Sequence, residues 1–341
     1  MGTCIPESWR LLPRGAELAA APPWPPLPRA ETNARSAHDL RIDLTPVEQI
    51  VRKTRAVALG RHRCPLEHPQ FALGGGPHTC AYIAFHRTSV RMRIGDARPE
   101  VATPNHVSFY TVGQSYAREA IGPEGDDCDW LAVAPALLRD VQESLAPQAD
   151  AALFARPFAP LRPAAFFAQR QLFAAAADPA TALNSLQIDE AATGLIGTIV
   201  GDALDFWGRS RRSRRRPRPV CQRRRLQIID DAKALLAREY WSELPLVDLA
   251  RRLHCSAAHL SRMFHAATGF RLCAYRQELR LRKGLFLLEE SGREIGDVAV
   301  LVGFASHSHF TSAFHRRFGV KPSAFVKWKA HKVIRAMARC A

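Results

Sequence analysis

The chain lacks the marks of several protein classes. Its 341 residues contain no run of about 18 apolar side chains, so no membrane span is expected. Glu17 interrupts the apolar N-terminal stretch and prolines crowd Pro22–Pro28, a poor match to a secretion signal. Eight cysteines are scattered without a C-x-x-C pair. A disulfide framework or structural zinc is therefore not expected, and a reducing cytoplasm is. No H-E-x-x-H, nucleophile elbow or Gly-rich phosphate loop occurs. His62, His68, His78, His86 and His106 show no metal-ligand spacing, and His307, His309 and His315 point in different directions on a helix. No metal, no cofactor and no catalytic residue are expected, and the chain does not read as an enzyme.

What is present is an uneven distribution of charge. The whole chain carries +16, yet residues 1–208 sum to −3, residues 209–225 to +10 through ten arginines, and residues 226–341 to +9. A polyanion is thus the expected partner of the second half alone.

Residues 1–40 read as a Pro-rich, disordered arm. From about 45 to 135, short alternating segments suggest strands: Val90, Met92 and Ile94 against Arg91 and Arg93, then His106–Val112 and Trp130–Ala134. Asp126, Asp127 and Asp129 read as a solvated acidic loop. Ala-rich helices are expected near 163–177 and 188–207, the second opening on Asp189 and Glu190, which suit a helix N-terminus. Arg209–Arg225, with Pro217 and Pro219, reads as an extended linker.

The last 115 residues hold an internal repeat. Leu249-Ala250, His254, Ser256, His259-Leu260, Met263-Phe264, Gly269 and Tyr275 recur as Val298-Ala299, Gly303, Ser306, His309-Phe310, Ala313-Phe314, Gly319 and Phe325. Each copy reads as helix, short turn, helix. Leu246, Leu249, Ala250 and Leu253 line one face of the first helix, and Ile295, Val298, Ala299 and Val302 line its counterpart. Ser256 and Ser306 are placed to cap the second helices, which bury Leu260, Met263 and Phe264 in one copy and Phe310, Ala313 and Phe314 in the other. This is the helix-turn-helix plan, whose second helix enters the DNA major groove. The candidate DNA-contacting residues are Ser256, Ala257, Ala258, His259, Ser261, Arg262 and His265, then Ser306, His307, Ser308, Thr311, Ser312, His315 and Arg316. His259 and His309 are expected to be partly buried. Between the copies, Arg271–Glu290 reads as a helix with two apolar stripes, buried between both modules. Two recognition helices about 34 Å apart would meet successive major-groove turns.

Leu249-Ala250, Ser256-x-x-His-Leu260-x-Arg-x-Phe264, Gly269, Tyr275, Arg280-Leu281, Ile295-x-x-Val-Ala299, Gly303-Phe304, Ser306-x-x-His-Phe310-x-x-x-Phe314 and Gly319-x-x-Pro-x-x-Phe325 together resemble the AraC/XylS family of transcription regulators. The resemblance covers residues 223–329. It implies a seven-helix double helix-turn-helix domain that binds promoter DNA, with an N-terminal effector-binding and dimerising domain. Gly284 stands where the family usually has Ala, which loosens the connecting helix by up to ~1 kcal/mol. The front half resembles, in architecture only, the cupin-like sensor domains of some members.

The expected fold class is α+β with two domains, a β-rich cupin-like sandwich or barrel followed by helices, then an all-α domain. The expected division is an arm at 1–40, a sensing and dimerising domain at 41–207, an Arg-rich linker at 208–222, the DNA-binding domain at 223–329 and a basic tail at 330–341. The expected function is a cytoplasmic, effector-responsive activator of transcription. Its expected partners are promoter DNA, RNA polymerase, a small-molecule effector and a second copy of the chain. Two alternatives stand beside it: a cupin-type metalloenzyme carrying a DNA tether, and a nonspecific DNA-packaging protein.

Overall fold

A computed structural model describes residues 45–145, 154, 156–178, 183–212, 219–290 and 293–331. The expected arm over 1–40 lies outside the described residues, as does all but the start of the tail expected over 330–341. Strands come first: β1 (Glu48–Lys53), β2 (Val57–Cys64), the short α1 (Pro69–Leu73), β3 (Ala81–His86), β4 (Val90–Ile94), β5 (Glu100–Ala102), β6 (His106–Tyr110), β7 (Tyr116–Ala120) and β8 (Asp126–Val133). Then follow α2 (Pro135–Leu145), β9 (Phe158–Pro160), α3 (Pro163–Ala177) and α4 (Ser185–Arg212). The strands form two antiparallel sheets, β1-β2-β8-β3-β6-β9 and β5-β4-β7, facing each other as a flattened barrel.

Strand β8 shows how one segment serves two surroundings. A two-residue period sends Cys128 and Trp130 into the barrel and Leu131 and Val133 onto the helices outside it. By the same parity Asp126 meets Arg118 inside, while Asp129 meets Arg170 of α3 outside. The acidic loop expected at Asp126, Asp127 and Asp129 is therefore a strand, and its carboxylates are paired rather than solvated. Both faces of the larger sheet are covered, so β3 is buried at every position and its sequence shows no polar–apolar alternation. Gly60 lies opposite Trp130 in the ladder, and a Cβ there would stand 2.0 Å from the indole; only glycine admits that ring.

Helix α4 begins at Ser185, earlier than Asp189 and Glu190 suggest. Asn184 and Gln187 each accept the other's backbone N–H, at 2.9 and 3.1 Å, a reciprocal cap of the first turn. Asp189 is thereby freed to accept from the Thr54 hydroxyl. The same helix runs on through Arg212, and the next begins at Pro219, so the arginine-rich stretch is helical at both ends rather than extended. Proline at a first helical position removes no needed hydrogen bond, which lets a helix start inside this segment.

Seven helices follow among the described residues: α5 (Pro219–Arg238), α6 (Leu246–Arg252), α7 (Ala257–Thr268), α8 (Leu272–Glu290), α9 (Ile295–Leu301), α10 (His307–Phe318) and α11 (Pro322–His331). They do not hang from the barrel on a tether. A continuous apolar core runs from Ile83 and Leu131 on the sheet, through Phe166 and Phe173 of α3, to Leu285 of α8 and Phe314 of α10. Phe166 and Phe167 of α3 stack against Phe286, Phe318 and Phe325 at ring separations of 5.4 to 6.0 Å. Gly284 is explained by the same packing: a Cβ there would stand 2.9 Å from the Phe310 ring, so the glycine admits a core aromatic.

Candidate nucleic-acid interface

Each helix-turn-helix copy is built as its apolar spacing dictates. Leu249, Ala250, Leu253, Leu260, Met263 and Phe264 are buried in the first copy, and Val298, Ala299, Val302, Phe310, Ala313 and Phe314 in the second. The Ser256 hydroxyl accepts the His259 N–H at 3.3 Å, and the Ser306 hydroxyl accepts that of His309 at 3.1 Å. Both second helices end on a left-handed glycine, Gly269 and Gly319, at φ 75° and 74°. The tight turn also wants a positive φ. Copy two supplies Gly303 there, whereas copy one holds His254 at φ 52°.

The outward faces stay open. Ser256, Ala258, His259, Arg262 and His265 are exposed on α7, with Ala257 and Ser261 half-buried. Ser306, His307, Ser308, Ser312, His315 and Arg316 are exposed on α10, with Thr311 half-buried. His259 and His309, expected to be partly buried, are exposed as well, because each capping serine turns the following helix so that only the next residue, Leu260 or Phe310, points inward. His309 nevertheless packs on the Phe304 ring, 5.3 Å between centroids. Neither α7 nor α10 contains a carboxylate, and among the described residues no ion pair neutralises Arg262 or Arg316.

Residues 249–327 match a family model described as a helix-turn-helix domain. Over 106 residues the chain is 34% identical to an uncharacterized HTH-type transcriptional regulator, YidL, of Escherichia coli, covering 31% of this chain and 35% of that protein. Over 72 residues it is 43% identical to the HTH-type transcriptional activator RhaR of Pectobacterium atrosepticum, covering 21% of this chain and 25% of that one. A solved transcriptional regulator with an AraC-type DNA-binding domain, from Chromobacterium violaceum, aligns at 26% identity and a TM-score of 0.30, covering 31% of this chain and 94% of the other. Residues 249–327 are thus a helix-turn-helix domain, the part of the chain that is similar to these transcriptional regulators. The match spans about a third or less of these relatives' own length, 35% and 25%.

The helix-turn-helix domain turns its other side to the barrel, and there charge is used differently. Asp129, fully buried, accepts from Arg61 at 2.9 Å and from Arg170, with Arg87 at 3.5 Å. Arg87 also reaches Glu289 at 3.3 Å and Glu290 at 2.5 Å, and Arg170 holds Glu289 at 2.8 and 2.5 Å. The Phe286 ring of α8 lies against both guanidiniums, 4.4 and 5.5 Å from its centroid. Burial alone would raise the Asp129 pKa, but Arg170, Arg87 and Arg61 outweigh it and hold the carboxyl well below its usual range. Further along α8, the buried Arg282 donates to the carbonyls of Pro104 and Leu161 at 2.6 and 2.7 Å. Tyr275 shares a 2.7 Å bond with Thr103, and Asn105 donates to the Tyr275 carbonyl at 2.9 Å. Helix α5 joins through Asp230, which takes the Val101 N–H at 3.3 Å and Arg98 at 2.6 Å.

Inside the barrel is a cavity of about 30 Å³ between the two sheets. Glu48, His62, Asp126 and Cys128 line one part; Tyr82, Tyr110, Tyr116, Trp130 and His78 line the rest. Arg118 donates to Asp126 Oδ2 at 2.6 Å and to the Gln70 carbonyl at 2.9 Å. Burial lowers the His62 pKa, but its bonds to Cys64 and Glu48 and the charge of Asp126 prevail and raise it to about 9. The His62 Nε2 also stands 2.8 Å from Arg118 Nη1, a contact that only the neutral ring accepts. The ring therefore either keeps that bond or takes up the proton. Sequence spacing hid this site: His62, His78 and Asp126 lie 16 to 64 residues apart and meet only because β2 pairs with β8 and β7 lies across the barrel.

Proposed function

We propose that the chain is a sequence-specific, effector-responsive transcription regulator of the cytoplasm, with no catalytic role. The observation that carries it is the pair of serine-capped helices in register, with open faces of short or donor-bearing side chains and no carboxylate. On this reading α7 and α10 enter successive major-groove turns of promoter DNA, about 34 Å apart. Ser256, Ala257, Ala258, His259, Ser261, Arg262 and His265 serve one half-site; Ser306, His307, Ser308, Thr311, Ser312, His315 and Arg316 serve the other. Arg223 and Arg224, exposed in the first turns of α5, add phosphate contacts that position without reading sequence. The barrel cavity is the effector site, and residues 41–207 are the sensing module. RNA polymerase and a second copy of the chain complete the partners. Gly194 and Gly201 face open space on α4, where a second helix can approach closely.

Selection of bound DNA from random duplexes tests this reading. A defined two-part site, with half-sites one helical turn apart, is the expected outcome. A specific-to-nonspecific affinity ratio near one supports DNA packaging instead, and stoichiometric bound metal in the purified chain supports the metalloenzyme alternative.

A further inference from the structure

We propose that the barrel cavity takes a small organic cation, the head group of a primary or methylated amine, seated against Asp126 and the tyrosine rings. The inference rests on reading the barrel as the sensing module and names the ligand class of that site. The cavity wall is electron-rich: two carboxylates, Glu48 and Asp126, and the rings of Tyr82, Tyr110, Tyr116 and Trp130. Aromatic faces attract ammonium groups, most strongly where water is excluded. Arg118 is not part of that wall. Its guanidinium is bonded to Asp126 Oδ2 and to the Gln70 and Phe71 carbonyls, which leaves Oδ1 of this cavity-lining residue to another donor. Asp126 is 2% exposed, and its Oδ1 accepts no hydrogen bond. A buried acceptor left in this state is costly, and an ammonium N–H supplies the donor.

His78 adds a second acceptor. Its ring packs among Tyr82, Tyr110 and Tyr116 at 4.8, 4.9 and 5.8 Å, and its Nε2 has no partner. Burial lowers its pKa to about 4, so it stays neutral. Charge balance points the same way. His62 is faced by Glu48 of β1, Cys64 of its own strand, Arg118 of β7, Asp126 of β8 and His78 of the loop before β3. When it keeps its bond to Arg118 the ring is neutral, and the two carboxylates then face one guanidinium. Only in that neutral state is the site one positive charge short; otherwise the His62 proton makes up the balance. A cationic ligand fills that deficit and takes the place of the His62 proton. Size narrows the class further, because about 30 Å³ holds an ammonium or methylammonium head but no ring.

The full chain is titrated calorimetrically with methylammonium and propylammonium chloride, and with propanol and sodium propionate as neutral and anionic counterparts, at fixed ionic strength. The amines are expected to bind at least about tenfold more tightly than propanol, with propionate weakest. Asp126→Asn is expected to weaken the amines by about tenfold. Glu48→Gln, at a half-buried position tolerant of change, weakens them by less and serves where the first variant does not fold. Titration in buffers of different ionisation enthalpy is expected to show proton release on binding. Propanol or propionate binding as tightly as the amines overturns the inference. So does amine binding that is unchanged in Asp126→Asn and Glu48→Gln, or no amine binding at all. Operator binding is measured alongside: amine failure with operator selection intact sinks the ligand class and leaves the regulator reading standing.

Discussion

The two faces of the helix-turn-helix domain engage guanidinium groups to opposite ends. On the face of α7 and α10, Arg262 and Arg316 are exposed and have no carboxylate partner among the described residues. On the face turned to the barrel the domain presents Glu289 and Glu290 to Arg87 and Arg170 of the barrel side, which are 3 and 4% exposed and each hold two or more carboxylates. An exposed, unpaired guanidinium has its donors ready for a phosphate or a guanine edge. A desolvated one is satisfied only by the geometry in which it is buried, so it specifies how two modules sit together. A net charge of +9 over residues 226–341 conceals that contrast, because it sums the open Arg262 and Arg316 with Glu289 and Glu290, which answer guanidiniums from outside that segment.

The contrast breaks most sharply at Asp129. Asp129→Ala leaves three guanidiniums without their shared acceptor in a dry interface, and a loss of about 3–5 kcal/mol is expected in urea unfolding. A loss below about 1 kcal/mol would make the network ornamental, as exposed pairs are. The next effect is pH-dependent. Burial lowers the His86 pKa to about 4, against the charge of Asp126, and the ring shares a 2.7 Å bond with Ser108. A folded pKa below the unfolded value near 6.5 contributes stability that is present above pH 6.5 and lost as pH falls toward 4. The group contributes up to about 3 kcal/mol across that window. His86→Gln should flatten this limb of the stability–pH curve, and an unchanged limb would assign it to other groups.

The open face should behave in the reverse manner. Arg262→Ala is expected to leave the unfolding midpoint within about 0.5 kcal/mol and to erase about 1–3 kcal/mol of base discrimination at one operator position. Unaltered preference among operator variants would remove Arg262 from the reading set. The smallest effect concerns the two turns. His254 holds a left-handed conformation that Gly303 adopts freely, so His254→Gly should stabilise the chain by about 0.5–1 kcal/mol. A loss of stability there would mean that the imidazole makes a contact worth more than the backbone relief.

The helical half was legible because its information is local. A 3.6-residue period, a serine before each recognition helix and a glycine after it are all read within one copy, and the repeat doubles the signal. The strand at Val90–Ile94 and the helix at Pro163–Ala177 were legible for the same reason. The barrel's interior was not. Asp126, Asp127 and Asp129 look like a loop because the partners that turn them into a buried strand lie on β2, β7, α3 and the turn after β3, 8 to 68 residues away. Glu278 and Arg282 are charged positions on α8, yet both are buried and paired with each other at 3.6 Å. Gly284 read as a weakness until Phe310 was seen to occupy the space beside it. Burial of charge is a property of the assembled fold, and no window along the chain contains it.

The ion clasp on α8 has a consequence for how the chain is made. Arg87 and Arg170 are synthesised 202 and 119 residues before Glu289, the carboxylate that both of them hold. While the chain grows, Arg87 and Arg170 have Asp127 and Asp129 but lack the carboxylates of α8, beside a bare apolar face that only the late arrival of α8 closes. Domains that finish folding as they emerge have no such waiting period. Here a chain that stops short of α8 keeps its front half open to proteases and chaperones, so completion of the DNA-binding half doubles as a proof of full length.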